Sequence, residues 1–301
     1  MSAASFSHHT AGVNGIHVHY VRQQPDGADI RMPLVLLHGW PEFWYVWHRN
    51  IPALSRHFDV IVPDLRGFGD TATPPGIPAL GDYVADLAGL LDHLGVERAG
   101  IVSHDVGAHV AQAFALAHPH RVKGLFFGNC PYPGIGRRWV ENRHANQIWY
   151  QSFQLLPLAL ELVGASRDSC RAYFRHFLDH WAAQPGRFDD DLEAWVDNFM
   201  KPGNLEGGFN WYKAGNEARL RQISDGPQPR PVIDLPARFL WGREDPVLSS
   251  QWVNGLEDYF SNAVIEICED AGHFVFYEQP DRANEAITSF FLQLAEVDGR
   301  I

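Results

Sequence analysis

Short apolar runs alternate with amphipathic stretches at both ends of this 301-residue chain, and the alternation stops in between. In the first part, Ile16–Val21 and Leu34–His38 read as strands, the second entering a Gly/Pro turn at Gly39-Trp40-Pro41. Phe58–Val62 is a third strand, ending in the loop Asp64–Asp70. Tyr83, Leu87, Leu90, Leu91 and Leu94 recur at helical spacing. Gly100–Ser103 reads as a strand, Gly107–His118 as a helix and Val122–Gly128 as a strand. From about Cys130 to about Ile223 the chain is helix-like and rich in aromatics, and the Pro-rich segment Gly226–Pro231 closes that stretch. The alternation then resumes: strand Ala237–Trp241, helix Trp252–Phe260, strand Val264–Cys268, helix Asp281–Leu294. This pattern predicts an α/β fold: a mostly parallel central sheet flanked by helices, built from residues 1–131 and 226–301, with a helical cap inserted over 132–225. Ligands then bind beneath the cap, at the carboxyl ends of the strands.

Charge and composition exclude several kinds of partner. Lys and Arg number 24 against 36 Asp and Glu, a formal net charge of -12 that repels phosphate backbones, and no basic stripe offsets it. Cys130, Cys170 and Cys268 are too few and too scattered for a disulfide framework or a zinc ribbon. The N-terminus lacks a signal-peptide pattern, and no apolar run approaches the roughly 20 residues of a membrane span. A cytoplasmic location without membrane or nucleic-acid partners is the expectation, with a homodimer left open. Gly134-Ile-Gly136 has no third glycine and no preceding strand in the right place, so it is no dinucleotide loop. His176 and His180 have metal-ligand spacing but no following Glu and no third ligand, and read as exposed histidines. No cofactor or metal is expected.

Chemistry concentrates at strand ends. Ser103-His104-Asp105-Val106-Gly107-Ala108 has the spacing of a nucleophile elbow, a strand–turn–helix whose central residue, here Asp105, is lifted above the sheet. Taken alone, Asp105 could equally be a helix cap. Two more candidates stand after later strands: Asp245 in Trp241–Pro246, and His273 in Gly272-His273-Phe274. Their order along the chain is nucleophile, acid, histidine. Glu244 competes weakly for the acid role, and Asp64 is expected to organise the backbone of its own loop.

On these residues the chain resembles the α/β-hydrolase fold with a cap, and within it the epoxide hydrolases. The likeness covers almost the whole length and rests on His38–Trp44, Asp64–Gly69, His104–Ala108, Gly242–Asp245 and Gly272-His273. It implies an oxyanion hole from the backbone N–H groups of Trp40 and Val106, and a substrate site including His38, Trp149, Phe153 and Trp211. Chemistry agrees independently. A carboxylate needs no base to activate it, and its useful targets are saturated carbons bearing a strained or good leaving group, meaning epoxides and alkyl halides. The product is an ester on Asp105, which water activated by His273 and oriented by Asp245 would hydrolyse.

The leaving group separates the two classes. An epoxide oxygen needs a proton, which a phenol can give, whereas a halide needs only a donor such as an indole N–H. Phe209–Lys213 resembles the family segment carrying one lid tyrosine, which implies Tyr212. Tyr150 is the only tyrosine in Ile148–Gln154, yet counting back from Phe153-Gln154 puts the family position on Trp149, so Tyr150 supposes a one-residue slip. Haloalkane and haloacetate dehalogenases are the alternative. They place Trp or Arg after the nucleophile, where this chain has Val106 and, further on, His109. A receptor that kept the pocket without the chemistry is a third reading, disfavoured by the intact Asp105, Asp245 and His273. The aromatic lid points to a small apolar epoxide, with water as second substrate, and away from a small charged acid.

Overall fold

A computed structural model describes residues 6–24, 32–227 and 229–297. Its centre is an eight-stranded sheet in the order β1-β2-β4-β3-β5-β6-β7-β8. The strands are β1 His8–Val13, β2 Ile16–Gln23, β3 Pro33–Leu37, β4 Asp59–Pro63, β5 Ala99–His104, β6 Val122–Gly128, β7 Ala237–Gly242 and β8 Ala263–Cys268. β1 and β2 pair antiparallel with each other, β2 pairs antiparallel with β4, and every other pairing is parallel. β1 has no counterpart among the strands expected from periodicity; its His/Thr/Gly-rich strand is half exposed, so the apolar signal is weak. Central β4 and β5 are buried along their whole length, as near-continuous Val/Ile runs in a sheet covered on both faces should be.

Among the described residues, ten α-helices accompany the sheet: α1 Ile51–Leu54, α2 Leu80–His93, α3 Asp105–Ala117, α4 Trp149–Phe153, α5 Pro157–Val163, α6 Arg167–Trp181, α7 Leu192–Phe199, α8 Asn204–Asp225, α9 Val275–Glu278 and α10 Pro280–Val297. The expected helix at Trp252–Phe260 is instead a 3-10 stretch over Ser250–Asp258. α4 to α8 all lie between β6 and β7, which are nevertheless neighbours in the sheet. The helical stretch therefore leaves the sheet and returns to the adjacent strand.

The order in which strands join the sheet reverses at β3. β3 leads outward to β4, and the next strand, β5, pairs on the other side of β3. Such a reversal leaves a crevice at the carboxyl ends of the two strands. Leu37 pairs with Ser103 in that register, so His38-Gly39-Trp40 and His104-Asp105 leave the sheet side by side.

Candidate active site

Asp105 opens α3 with φ of 42°, in the left-handed region that a residue with a Cβ enters at a cost of about 1–3 kcal/mol. Gly107 makes the turn feasible: a Cβ there would stand 2.6 Å from the Leu37 carbonyl oxygen. Asp105 does not cap its helix. Its Oδ2 accepts a hydrogen bond from the Trp40 backbone N–H at 3.0 Å. Val106 lies in the first turn of α3, where backbone N–H groups lack an intrahelical acceptor. Of the two expected oxyanion donors, the Trp40 N–H thus reaches the carboxylate.

His273 is fully buried, and its Nδ1 faces Asp245 Oδ2 at 2.8 Å. Its Nε2 is buried and has no hydrogen-bond partner among the described residues. Asp245 is held on every side: Oδ1 accepts from the backbone N–H groups of Val247 (2.7 Å) and Leu248 (2.9 Å), and Oδ2 also accepts from Asn129 Nδ2 at 2.5 Å. Asn129, just past β6 with φ of 38°, in turn accepts from the Gly242 N–H. Glu244, the competing acid, points to solvent.

Beneath Asp105 lies a buried pair that sequence reasoning did not single out. His104 Nδ1 meets Glu42 Oε2 at 2.9 Å, and the same oxygen accepts from the Gly39 N–H. His104 Nε2 donates to the His273 carbonyl at 2.8 Å. Burial by itself would lower the His104 pKa, but the Glu42 charge and hydrogen bond, with Asp105 nearby, hold it up at about 9. Glu42 is depressed despite its burial, because His104 faces it. Glu278, also missed, braces the histidine loop by accepting from the N–H groups of Gly272 and Phe274, both at 3.0 Å. Each of these residues sits inside or beside a recognisable motif, but the motif says nothing of which partners the fold brings to it.

The helical insertion supplies two phenols. Tyr150, from α4, stacks flat on Trp40 (centroids 5.1 Å, interplanar 5°) and meets Tyr212, from α8, edge-on at 5.3 Å. Both rings contact Trp40, and the Asp105 charge acts on both phenols. Burial above all, then that charge, raises the Tyr150 pKa; for Tyr212 burial and then Tyr150 do the same. His109, one turn beyond Asp105, is pulled down to about 4 by burial, against the pull of Asp105.

The four expected substrate contacts stand in different surroundings. Trp149 is 44% exposed and lines an outer groove while its neighbour Tyr150 is buried on Trp40, because successive residues on a helix face about 100° apart. Phe153, one turn later on the same side, lines that groove too. His38 is buried with both nitrogens occupied, Nδ1 by the Gly39 carbonyl and Nε2 by the Leu65 N–H. Trp211 stands half-buried against Tyr83 and His109. Asp64 does organise its loop, accepting from the Trp44 and Asp70 N–H groups and bonding His19. Among the described residues, His19, Asp64 and Asp70 could together approach a metal ion, but those bonds already occupy Asp64.

Residues 32–280 match the alpha/beta hydrolase fold family, and residues 2–47 match the epoxide hydrolase N terminus family. The chain is 31% identical to the soluble epoxide hydrolase of Corynebacterium sp. (strain C12), over 97% of its own length and 99% of that protein's. It is 28% identical to human epoxide hydrolase 4, over 92% of its length and 76% of the relative's. Among solved structures, the epoxide hydrolase CorEH without ligand superposes with a TM-score of 0.83 at 29% identity, covering 96% of this chain and 99% of the other.

Proposed function

The chain belongs to the epoxide hydrolases of the α/β-hydrolase fold, and from that membership we propose that it opens its epoxide to a diol through a covalent ester on Asp105. In this reading residues 132–225 form a cap over a core of 1–131 and 226–301. An Asp105 oxygen forms a bond to one epoxide carbon as the ring C–O bond breaks, and the bonding pair goes to the epoxide oxygen. That oxygen takes a proton from the Tyr150/Tyr212 pair, leaving a phenolate. His273, oriented by Asp245, then removes a proton from water, and the resulting hydroxide adds to the ester carbonyl. The Trp40 and Val106 N–H groups stabilise the tetrahedral oxyanion, an effect worth about 3–4 kcal/mol per donor in the best-studied hole. Collapse returns the carboxylate and releases the diol, and the proton held by His273 restores the phenol.

The observation that carries this reading is the pair of phenols that meet edge-on at 5.3 Å, with Tyr150 flat on the Trp40 ring and the Trp40 N–H donating to Asp105. Two phenols suit a leaving oxygen that must be protonated, whereas a departing halide has no use for a proton. His273 also has the layout of a base: Nδ1 is committed to Asp245 and Nε2 is uncommitted.

A single turnover on styrene oxide in heavy-oxygen water tests the ester. The label should enter the Asp105 carboxylate, while the diol keeps only unlabelled oxygen. Label appearing directly in the diol means water attacks the epoxide itself, and Asp105 then loses its role as nucleophile.

A further inference from the structure

Arg219 lies on α8 two turns beyond Tyr212, half-buried, and no carboxylate among the described residues pairs with it. Its guanidinium is spent on neutral amides: Nη1 donates to Gln151 Oε1 at 2.7 Å and Nη2 to Asn216 Oδ1 at 2.9 Å. Such a cation is costly to bury without an acid, and burial accordingly lowers its pKa. The titratable groups coupled to it are Tyr150 and Tyr212, so negative charge developing on either phenol would meet this cation. Gln151 closes the chain of contacts. Its carbonyl is taken by Arg219, which leaves the amide N–H to donate to Tyr150 Oη at 3.3 Å. Gln151 is 6% exposed, so water does not compete for that contact.

From this line of contacts we infer that Arg219 and Gln151 are positioning residues for proton donation by Tyr150, acting through the Gln151 amide. The inference rests on the epoxide reading above. When Tyr150 protonates the epoxide oxygen, its own oxygen becomes a phenolate in a buried site, and the nearby Asp105 charge opposes that change until it is neutralised as the ester. A donor already aimed at the oxygen strengthens as negative charge grows there, which stabilises the transition state more than the ground state. Arg219 contributes in two ways. It fixes the amide so that N–H rather than C=O faces Tyr150, and it places positive charge near both phenols. An oxygen that accepts from Gln151 also keeps its own proton free for substrate.

Two substitutions separate this role from simple support of the cap. Gln151→Glu keeps an acceptor for Arg219, and so keeps the α4–α8 tie, but replaces the N–H facing Tyr150 with a carboxylate oxygen. Arg219→Met removes the charge and both donors, and Arg219→Lys restores the charge. Stopped-flow tryptophan fluorescence, reporting through Trp40 against Tyr150, follows alkylation and ester hydrolysis separately. Gln151→Glu and Arg219→Met should slow alkylation by styrene oxide on the order of 10-fold or more, with ester hydrolysis within about twofold of the parent. Alkylation by a bromoalkane should not change in any chain that accepts one, and Arg219→Lys should recover part of the epoxide rate. Equal slowing of both half-reactions, or none in either variant, overturns the relay. A parent chain that is not alkylated by epoxides overturns the epoxide reading and the relay together. With a parent that is alkylated normally, a failure in the variants counts against Arg219 and Gln151 alone.

Discussion

Trp149 and Tyr150 are neighbours on one short helix, and which of them turns inward decides which leaving group that helix could serve. A phenol can hand over a proton; an indole N–H can only solvate. Because Tyr150 is 3% exposed against Trp40 while Trp149 is 44% exposed on the outer face, the inner surface carries phenols. Tyr212→Phe should therefore slow ring opening on the order of 100-fold, the contribution of one positioned proton donor, and spare ester hydrolysis. Trp149→Phe should leave both steps within about twofold. Rapid single-turnover kinetics on styrene oxide checks this pair, and a crippled Trp149→Phe beside a normal Tyr212→Phe would hand the site to halide chemistry. The sequence carried Tyr212 through its Asn-Trp-Tyr segment, but it left Tyr150 and Trp149 level. Counting from Phe153-Gln154 favours the tryptophan, and only the rotation of α4 settles which ring turns inward.

At the scale of elements, the ends of β3 and β5 and the loop after β8 are tied together by one buried ion pair. Glu42 holds the Gly39 N–H, and His104 reaches from Glu42 to the His273 carbonyl. The sign of its pH dependence follows from the shifts. His104 rises from an ordinary 6.5 to about 9 on folding, so its stabilisation is complete below about pH 6.5 and is lost as pH climbs through 9. Glu42 is depressed, so its share is present above its ordinary value of 4.5 and is lost only in more acid solution. Thermal unfolding of the whole chain should lose stability between about pH 7 and 9, and His104→Gln should flatten that slope. An unchanged slope in His104→Gln would mean that the pair does not hold its proton. The elements themselves were largely legible, since β6 and α3 fall within a residue or two of where periodicity put them. Edge strand β1 was not, because an exposed strand carries no apolar alternation, and Ser250–Asp258 wound as a 3-10 stretch where an α-helix was expected.

Across the whole molecule, the insertion is clamped to the core through few residues. Asp191 accepts from the Tyr45 hydroxyl at 3.1 Å, the Tyr277 hydroxyl at 2.6 Å and Arg49 Nη2 at 3.2 Å, with His48 alongside. The Trp195 indole donates to the Pro41 carbonyl, and the Trp181 carbonyl accepts from the His273 N–H. Asp191→Ala strips several partly buried donors of one acceptor, a loss of roughly 2–4 kcal/mol. At roughly 2–4 °C per kcal/mol for large domains, calorimetry should find Tm lower by about 5–15 °C. A Tm within a degree of the parent would show that the clamp adds nothing. By itself the sequence determined the α/β alternation, its interruption, the elbow at Asp105 and the order of Asp105, Asp245 and His273, because periodicity, turn chemistry and motif spacing are local properties of a chain. Tertiary structure decided that Asn129 steadies Asp245, that Glu42 and His104 sit under Asp105, that His38 is spent on backbone, and that Tyr150 rather than Trp149 looks inward. Those outcomes depend on which side chains, distant along the chain, come within hydrogen-bond reach once β3 and β5 lie side by side and α4 settles over them.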